Sequence, residues 1–282
     1  MNNNIKNKGN EAIAIAVVIY GSKLTECNVY KTLIKNNADK IDCLLVFDNS
    51  KTTQYEKIEI GNGIYEYFWN PKNPGVSENY NKAANYACQN GFKWVMLLDQ
   101  DTSFPPEALS IYKESLRQYP DKSLFVPIHK ISDNRYLSPA NSCLFRHKNE
   151  IKPGIYNINK YDIINSGMLV NVNDFIKVGG YNEEVGLDFS DFQFLDRLKT
   201  AVKQVVVLNI ICIQDFSNNE DDKEKLLNRY KIYCRNASKF ETRKLGVKVK
   251  ITYLVLKHTM ALTIRCKSIE PLKILFKSIL NK

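Results

Sequence analysis

Residues 94–104 read WVMLLDQDTSF: five apolar residues without polar alternation, then two carboxylates, Asp99 and Asp101, one residue apart. An apolar run of this kind, preceded by Gly91 and stopped by an acidic turn, predicts a strand buried on both faces. In open α/β sheets ligands bind outside the carboxyl ends of strands, where a carboxylate can meet a hard cation and a phosphate.

Upstream, Ala12 to Tyr20 (AIAIAVVIY) predicts a first buried strand, stopped by Gly21-Ser22, and Leu44 to Phe47 predicts a second that ends in Asp48-Asn49-Ser50. Between them Leu24, Cys27, Tyr30, Leu33 and Ile34 recur at helical spacing over about Lys23 to Asn37. Strand, helix, strand with short connections implies a parallel sheet. Ile64 to Phe68 is a third strand, and Asn70 to Gly75 (NPKNPG) a turn cluster. Ser77 to Asn90 places Tyr80, Ala83, Ala84, Ala87 and Cys88 on one helical face, with Ser77 expected as N-cap. Its start, following Asn73 and Gly75, offers backbone N–H groups and a positive dipole end to an anion.

Downstream, Ser103 is expected to cap a helix beginning at Pro105. Leu124 to Ile128 reads as a strand, 132–161 as loops or a short hairpin, and Ile163 to Asn171 as strand, bend, strand. In Gly186 to Leu198 (GLDFSDFQFLDRL), Ser190 and Gln193 have capping-box spacing, so a helix starts there with Asp188 and Asp191 near its first turn. Val205 to Ile213 is a last buried strand, followed by a charged helix over Glu220 to Phe240 and two further amphipathic helices.

Composition bounds the function. The 282 residues, 44% hydrophobic, suffice for one large α/β domain with an appendage. The net charge of +10 is concentrated: residues 242–282 hold ten Lys or Arg against Glu270 alone, whereas 1–241 hold thirty against twenty-nine acids. Seven cysteines, at 27, 43, 88, 143, 212, 234 and 266, form no CxxC pair and are expected to be reduced thiols of a cytosolic protein. The polar start has no signal-peptide apolar region, and no apolar run is long enough to span a bilayer. The expected division is a disordered polar segment at 1–11, one large α/β domain at 12–240 and a basic amphipathic helical tail at 241–282.

The ordered series VVIYGS, VFDNS, NPGVSENYN, WVMLLDQDT, NSGMLV, GGYNEEVGLDFSDFQF and RYKIYCRNA, over roughly residues 12 to 240, resembles a family 2 glycosyltransferase of the GT-A fold. LLDQDT and RYKIYCRN most resemble its bacterial rhamnosyltransferase branch. The resemblance implies a Rossmann-like, mainly parallel central sheet flanked by helices, and an inverting, hexosyl-type transfer. It implies Asp101 as ligand of magnesium or manganese, with Asp99 beside the same metal or the ribose. It further implies Asp48, Tyr20, Gly21, Asn73 and Gly75 around the donor nucleotide, Arg235 over the diphosphate, and Asp191 as the base that deprotonates the acceptor hydroxyl. Many relatives complete the metal site with a histidine after the last strand; here IQDFS puts Asp215 at that place. His129, His147 and His258 fall outside that motif. The implied partners are a dTDP- or UDP-sugar donor and a glycan or lipid-linked oligosaccharide acceptor of a surface polysaccharide. An inactive GT-A domain that binds glycan or scaffolds a membrane assembly is the alternative.

In the tail, Ile251, Leu254, Val255, His258 and Leu262 alternate with Lys248, Lys250, Lys257, Arg265 and Lys267, and Ile274, Leu275, Phe276 and Ile279 with Lys273 and Lys277. Basic amphipathic helices of this kind can lie in the headgroup plane of an anionic membrane, and the lipid-linked acceptor that the resemblance implies puts the expected location peripherally at the inner face of the cell membrane. The competing expectation is that the apolar faces pack on the domain or on a second subunit in a homodimer. No nucleic-acid reader motif accompanies the charge.

Overall fold

The computed structural model describes residues 9–131, 135–142, 150–214, 222–242 and 244–280. Most of the expected disordered start, Cys143, His147 and Asp215 lie outside the described residues. Asn10 and Glu11 are held in a turn, the first by the Trp94 indole N–H (2.9 Å to its carbonyl) and the second by Arg117.

In chain order the elements are β1 (Ile13–Ile19), β2 (Cys43–Asp48), β3 (Ile64–Trp69), α1 (Val76–Gln89), β4 (Trp94–Asp99), β5 (Thr102–Ser103), α2 (Ala108–Gln118) and β6 (Leu124–Ile131). Then come β7 (Tyr136–Ser138), β8 (Ala140–Asn141), β9 (Gly154–Asn157), β10 (Tyr161–Asp162), β11 (Met168–Asn171), α3 (Val172–Lys177), α4 (Ser190–Ala201), β12 (Gln204–Gln214), α5 (Lys223–Ser238), α6 (Leu245–Arg265) and α7 (Glu270–Leu280). The central sheet runs β3-β2-β1-β4-β11-β6-β12-β5, with β7 on β6 and β9 on β12. β3, β2, β1 and β4 are parallel neighbours, while β11 lies antiparallel between β4 and β6. This is a mixed α/β architecture with a parallel half-sheet flanked by helices, as the resemblance implies.

The alternation-free runs do form strands buried on both faces: every residue of β1 and β2 is buried, as are the first five of β4. Odd and even residues feed two cores. Ala14, Ala16, Val95 and Leu97 join α1, α3 and α4 on one face; Ile13, Ile15, Met96 and Leu98 join α2 and the 24–40 segment on the other.

Several local expectations are corrected. The segment after β1 is not a regular helix but a 3-10 turn, a π-helical turn at Tyr30–Ile34 and a second 3-10 stretch to Lys40. Ser77 does not cap α1: Gly75 holds that position, and the Ser77 hydroxyl donates to the Val185 carbonyl at 2.5 Å. Ser103 belongs to β5, and α2 begins at Ala108 after Glu107. Of the expected strand, bend, strand, only Met168–Asn171 is a strand. The Ser190/Gln193 capping box does not form; the Ser190 hydroxyl donates to the Leu187 carbonyl instead.

One face of the tail follows the competing expectation of packing on the domain. Ile251, Val255 and Leu262 of α6 and Leu275 of α7 are buried in a third core with Val185, Phe189, Tyr230 and Cys234. Lys250, one of the basic residues between the apolar ones, is buried in an ion pair with Asp162. The apolar row singled out in the sequence is therefore the packed face of α6.

Candidate active site: a carboxylate cleft where the strand order reverses

The chain builds β1, β2 and β3 outward, then crosses back to lay β4 on the other side of β1, so the sheet order reverses between β1 and β4. A crevice opens at the carboxyl ends of strands at such a point. Gln100 ties its two sides together: its Oε1 accepts the Tyr20 N–H at 2.7 Å, and its Nε2 donates to the Tyr20 carbonyl at 3.4 Å. Tyr20 is 52% exposed at the mouth, and Gly21, at φ 71, donates its N–H to Ser50 Oγ at 2.7 Å.

Asp99 ends β4 on the α1 side, where it accepts the Tyr80 hydroxyl at 2.8 Å. Burial pushes its pKa from 3.8 up to about 7; the Asp101 charge adds to the rise, the Tyr80 hydrogen bond opposes it, and the Asp191 charge adds further. Its oxygens thus sit among protein atoms at the foot of a cleft, although the residue is only half-buried. Asp101 is held through a polar chain. Its Oδ1 accepts Gln214 Nε2 at 2.7 Å, Gln214 Oε1 accepts the Thr102 hydroxyl at 2.6 Å, and Thr102 meets Ser166 at 2.7 Å. Ser166 Oγ in turn accepts the Asp99 N–H at 3.2 Å. β12, β5 and the segment before β11 all converge on the two carboxylates.

Asp191 enters from the first turn of α4; burial raises the Tyr181 phenol, and the Asp191 and Asp99 charges raise it further. Tyr181 donates to Asn165 Oδ1 at 2.6 Å and stacks on Phe194 at 4.2 Å, which fixes the wall between them. Phe189, two residues before Asp191, adopts φ 66, a left-handed backbone that costs a bulky residue energy. Its ring is held against Tyr233 of α5 at 4.7 Å and Phe240 at 6.5 Å. Asp188 is bound bidentately by Arg229 of α5. The third core thereby aims Asp191.

The turn before α1 meets the same loop. Gly75, at φ 89, lies so near Gly186 that a Cβ would stand 2.3 Å from the Gly186 carbonyl oxygen, and Val76 N–H donates to that oxygen at 2.7 Å. Asn73 is also left-handed, at φ 48. Asp48 is buried, with Oδ1 accepting the Ser50 N–H and Oδ2 the Gln54 N–H and the Tyr67 hydroxyl, so it shapes the β2 loop from within. Arg235 is exposed on α5; the α5 cation that reaches the Asp191 loop is Arg229.

Tyr80, Gln214, Thr102, Ser166 and Tyr181 were given no role in the site by sequence. Gln214, a polar residue closing an apolar strand, carried the clearest signal. Among the described residues no three His, Cys, Asp or Glu side chains are grouped to hold a metal ion. The donor chemistry of Asp99 and Asp101 nonetheless suits a hard divalent cation, whose charge would relieve the repulsion that raises Asp99.

The family model described as "Glycosyl transferase family 2" matches residues 15–179. No curated protein matches the chain. S. aureus TarS 1-349 superposes at TM-score 0.55 with 12% identity, over 88% of this chain and 72% of that one. GalNAc-T7, crystallised with UDP, GalNAc and Mn2+, superposes at TM-score 0.54 with 11% identity, over 86% of this chain and 53% of that one. A further structure of TarS 1-349, in complex with UDP-GlcNAc, gives TM-score 0.50 at 13% identity, over 87% of this chain and 71% of that one.

Proposed function

Because the chain belongs to glycosyl transferase family 2, we propose that it is a metal-dependent, inverting glycosyltransferase that moves a hexosyl group from a pyrimidine nucleotide-sugar to a glycan hydroxyl. One observation carries this reading: at the reversal point, on top of burial, the charges of Asp101, two residues on, and of Asp191, from a segment about ninety residues further along the chain, both reach Asp99 and raise it. The nucleoside lies along the ends of β1 and β2, between Tyr20, Gly21 and the Asp48 loop. The diphosphate faces Asp99 and Asp101, which would hold magnesium or manganese; the cation would neutralise charge on the leaving group. Asn73, Gly75 and the start of α1 present backbone N–H groups toward the same anion, and Arg235 is assigned to close over it. Asp215 is assigned as the third carboxylate.

Asp191 takes the proton of the acceptor hydroxyl as its oxygen attacks the anomeric carbon opposite the leaving diphosphate, inverting that centre. The Phe189 cluster holds Asp191 at its angle of approach. A UDP or dTDP donor fits this reading: the GalNAc-T7 and TarS structures carry uridine donors or products, and the rhamnosyltransferase-like motifs favour dTDP-rhamnose. The acceptor is a glycan or lipid-linked oligosaccharide of a surface polysaccharide, met with the enzyme peripheral at the inner face of the cell membrane.

Asp191→Asn tests the assignment. Transfer should fall by about 10²–10⁴-fold, the usual worth of a positioned base, while UDP- or dTDP-induced thermal stabilisation persists. Unchanged transfer would remove Asp191 from its role. Absent transfer by the unsubstituted chain with every donor tried would favour an inactive glycan-binding domain.

A further inference from the structure

α6 is apolar on two sides. One buries Ile251, Val255 and Leu262 in the third core. The other carries Leu245, Val249, Leu256, Met260 and Ile264, each 51–75% exposed. Steps of four, seven, four and four residues keep these five within a single stripe of a helix. The exposed set continues through Ile269 to Phe276 and Ile279 of α7, each 56–63% exposed. Seventeen large hydrophobic residues are exposed in the described chain, and eight of them fall within 245–279. Such a concentration marks an interaction surface, whereas apolar residues scattered singly do not.

Charge selects the occupant. Lys248 and Lys257 flank the stripe on its two sides, Lys267, Lys273 and Lys277 follow, and all five are exposed. A second copy seated face to face would oppose two tails that each carry a surplus of nine positive charges. An anionic bilayer presents the complementary sign and an apolar layer beneath it. Among the described residues no helix is long and apolar enough to cross a membrane, so the contact is one of lying in the interface. We propose that the outward stripe of α6, continued by Phe276 and Ile279, seats the protein on an anionic lipid surface. This rests on the membrane placement above and assigns it to a face opposite the one the sequence pointed to. The inner face of the same helix shares the third core with Phe189, so the lipid-seated helix belongs to the core beneath the Asp191 loop.

Truncating the tail would expose the third core, so the test uses outer-face substitutions in the full chain. Co-sedimentation is measured with vesicles of phosphatidylcholine and of phosphatidylcholine containing phosphatidylglycerol. The unsubstituted chain is expected to sediment with the anionic vesicles and not with the neutral ones. L256E/M260E should weaken that binding by about tenfold or more, and K248E/K257E by a similar factor that shrinks at high salt. Both variants should keep the parent Tm and the parent's thermal response to UDP with Mn2+. The proposal is overturned if the parent stays in the supernatant with anionic vesicles, or if it sediments as a dimer that L256E/M260E splits. Vesicle binding without any nucleotide response would sink the transfer reading and leave this one standing.

Discussion

Asp99 is the residue at which electrostatics and function meet. Its carboxyl titrates near 7 in the folded chain against 3.8 ordinarily, chiefly through burial and the neighbouring Asp101. The folded state therefore keeps a proton that the unfolded state has released. This contribution to stability is fully present below about pH 4 and is lost as pH rises through 7. In metal-free buffer Asp99→Asn should be more stable than the parent by ~1–3 kcal/mol at pH 8 and equal to it at pH 4, as read by urea unfolding across that range. A constant difference across the range would mean that Asp99 is not perturbed. His129 works in the opposite sense: buried, with neither ring nitrogen in a hydrogen bond, it is held neutral by burial down to about pH 3. The Ser166 backbone beside it favours the charged form slightly without reaching hydrogen-bond geometry.

Elements show what sequence can and cannot reveal. β1, β2 and β4 were legible because burial on both faces removes polar alternation, a signal carried entirely by neighbouring residues. The antiparallel insertion of β11 between β4 and β6 was not legible, since nothing in Met168 to Asn171 records strand direction. Cap predictions failed for Ser77 and Ser103 because tertiary partners, the Val185 carbonyl and the β12 edge, outcompeted local ones, and for Ser190 because its hydroxyl turns back to the nearby Leu187 carbonyl. In the site, Asp99, Asp101 and Asp191 were pointed out by the family resemblance, and the structure brings the charges of Asp101 and Asp191 to bear on Asp99. Tyr80 and Gln214 were not, because their partners lie 19 and 113 residues away. The contact between Gly75 and Gly186 belongs to this scale too, since it locks the start of α1 to the Asp191 loop. Gly75→Ala combines a left-handed φ with a backbone clash and should cost ~2 kcal/mol or more, seen as a lowered urea midpoint. An unchanged midpoint would show that the two loops part freely.

Over the whole molecule, the basic tail is a structural part of the catalytic body. Lys250 of α6 is buried against Asp162, which also accepts the Ser142 hydroxyl at 2.9 Å, and Lys199 lies near enough to feel both charges. Removing one partner of a buried pair strands the other, whereas an exposed lysine costs almost nothing. Lys250→Ala should therefore lose ~2–4 kcal/mol, and Lys248→Ala less than ~0.5 kcal/mol, by equilibrium unfolding. Equal small losses would mean that the tail is a loose appendage.

The central claim, that the cleft at the sheet reversal binds a nucleoside diphosphate through Asp99 and Asp101 with a divalent cation, is tested most directly by thermal stabilisation with UDP and with dTDP, each with and without Mn2+. A ligand at a hundred times its Kd stabilises the native state by ~2.7 kcal/mol, a shift of several degrees. The account predicts that shift for at least one nucleotide with Mn2+, a much smaller one without the metal, and its loss in Asp101→Asn. No shift with either nucleotide, or a shift that Asp101→Asn leaves intact, would contradict it.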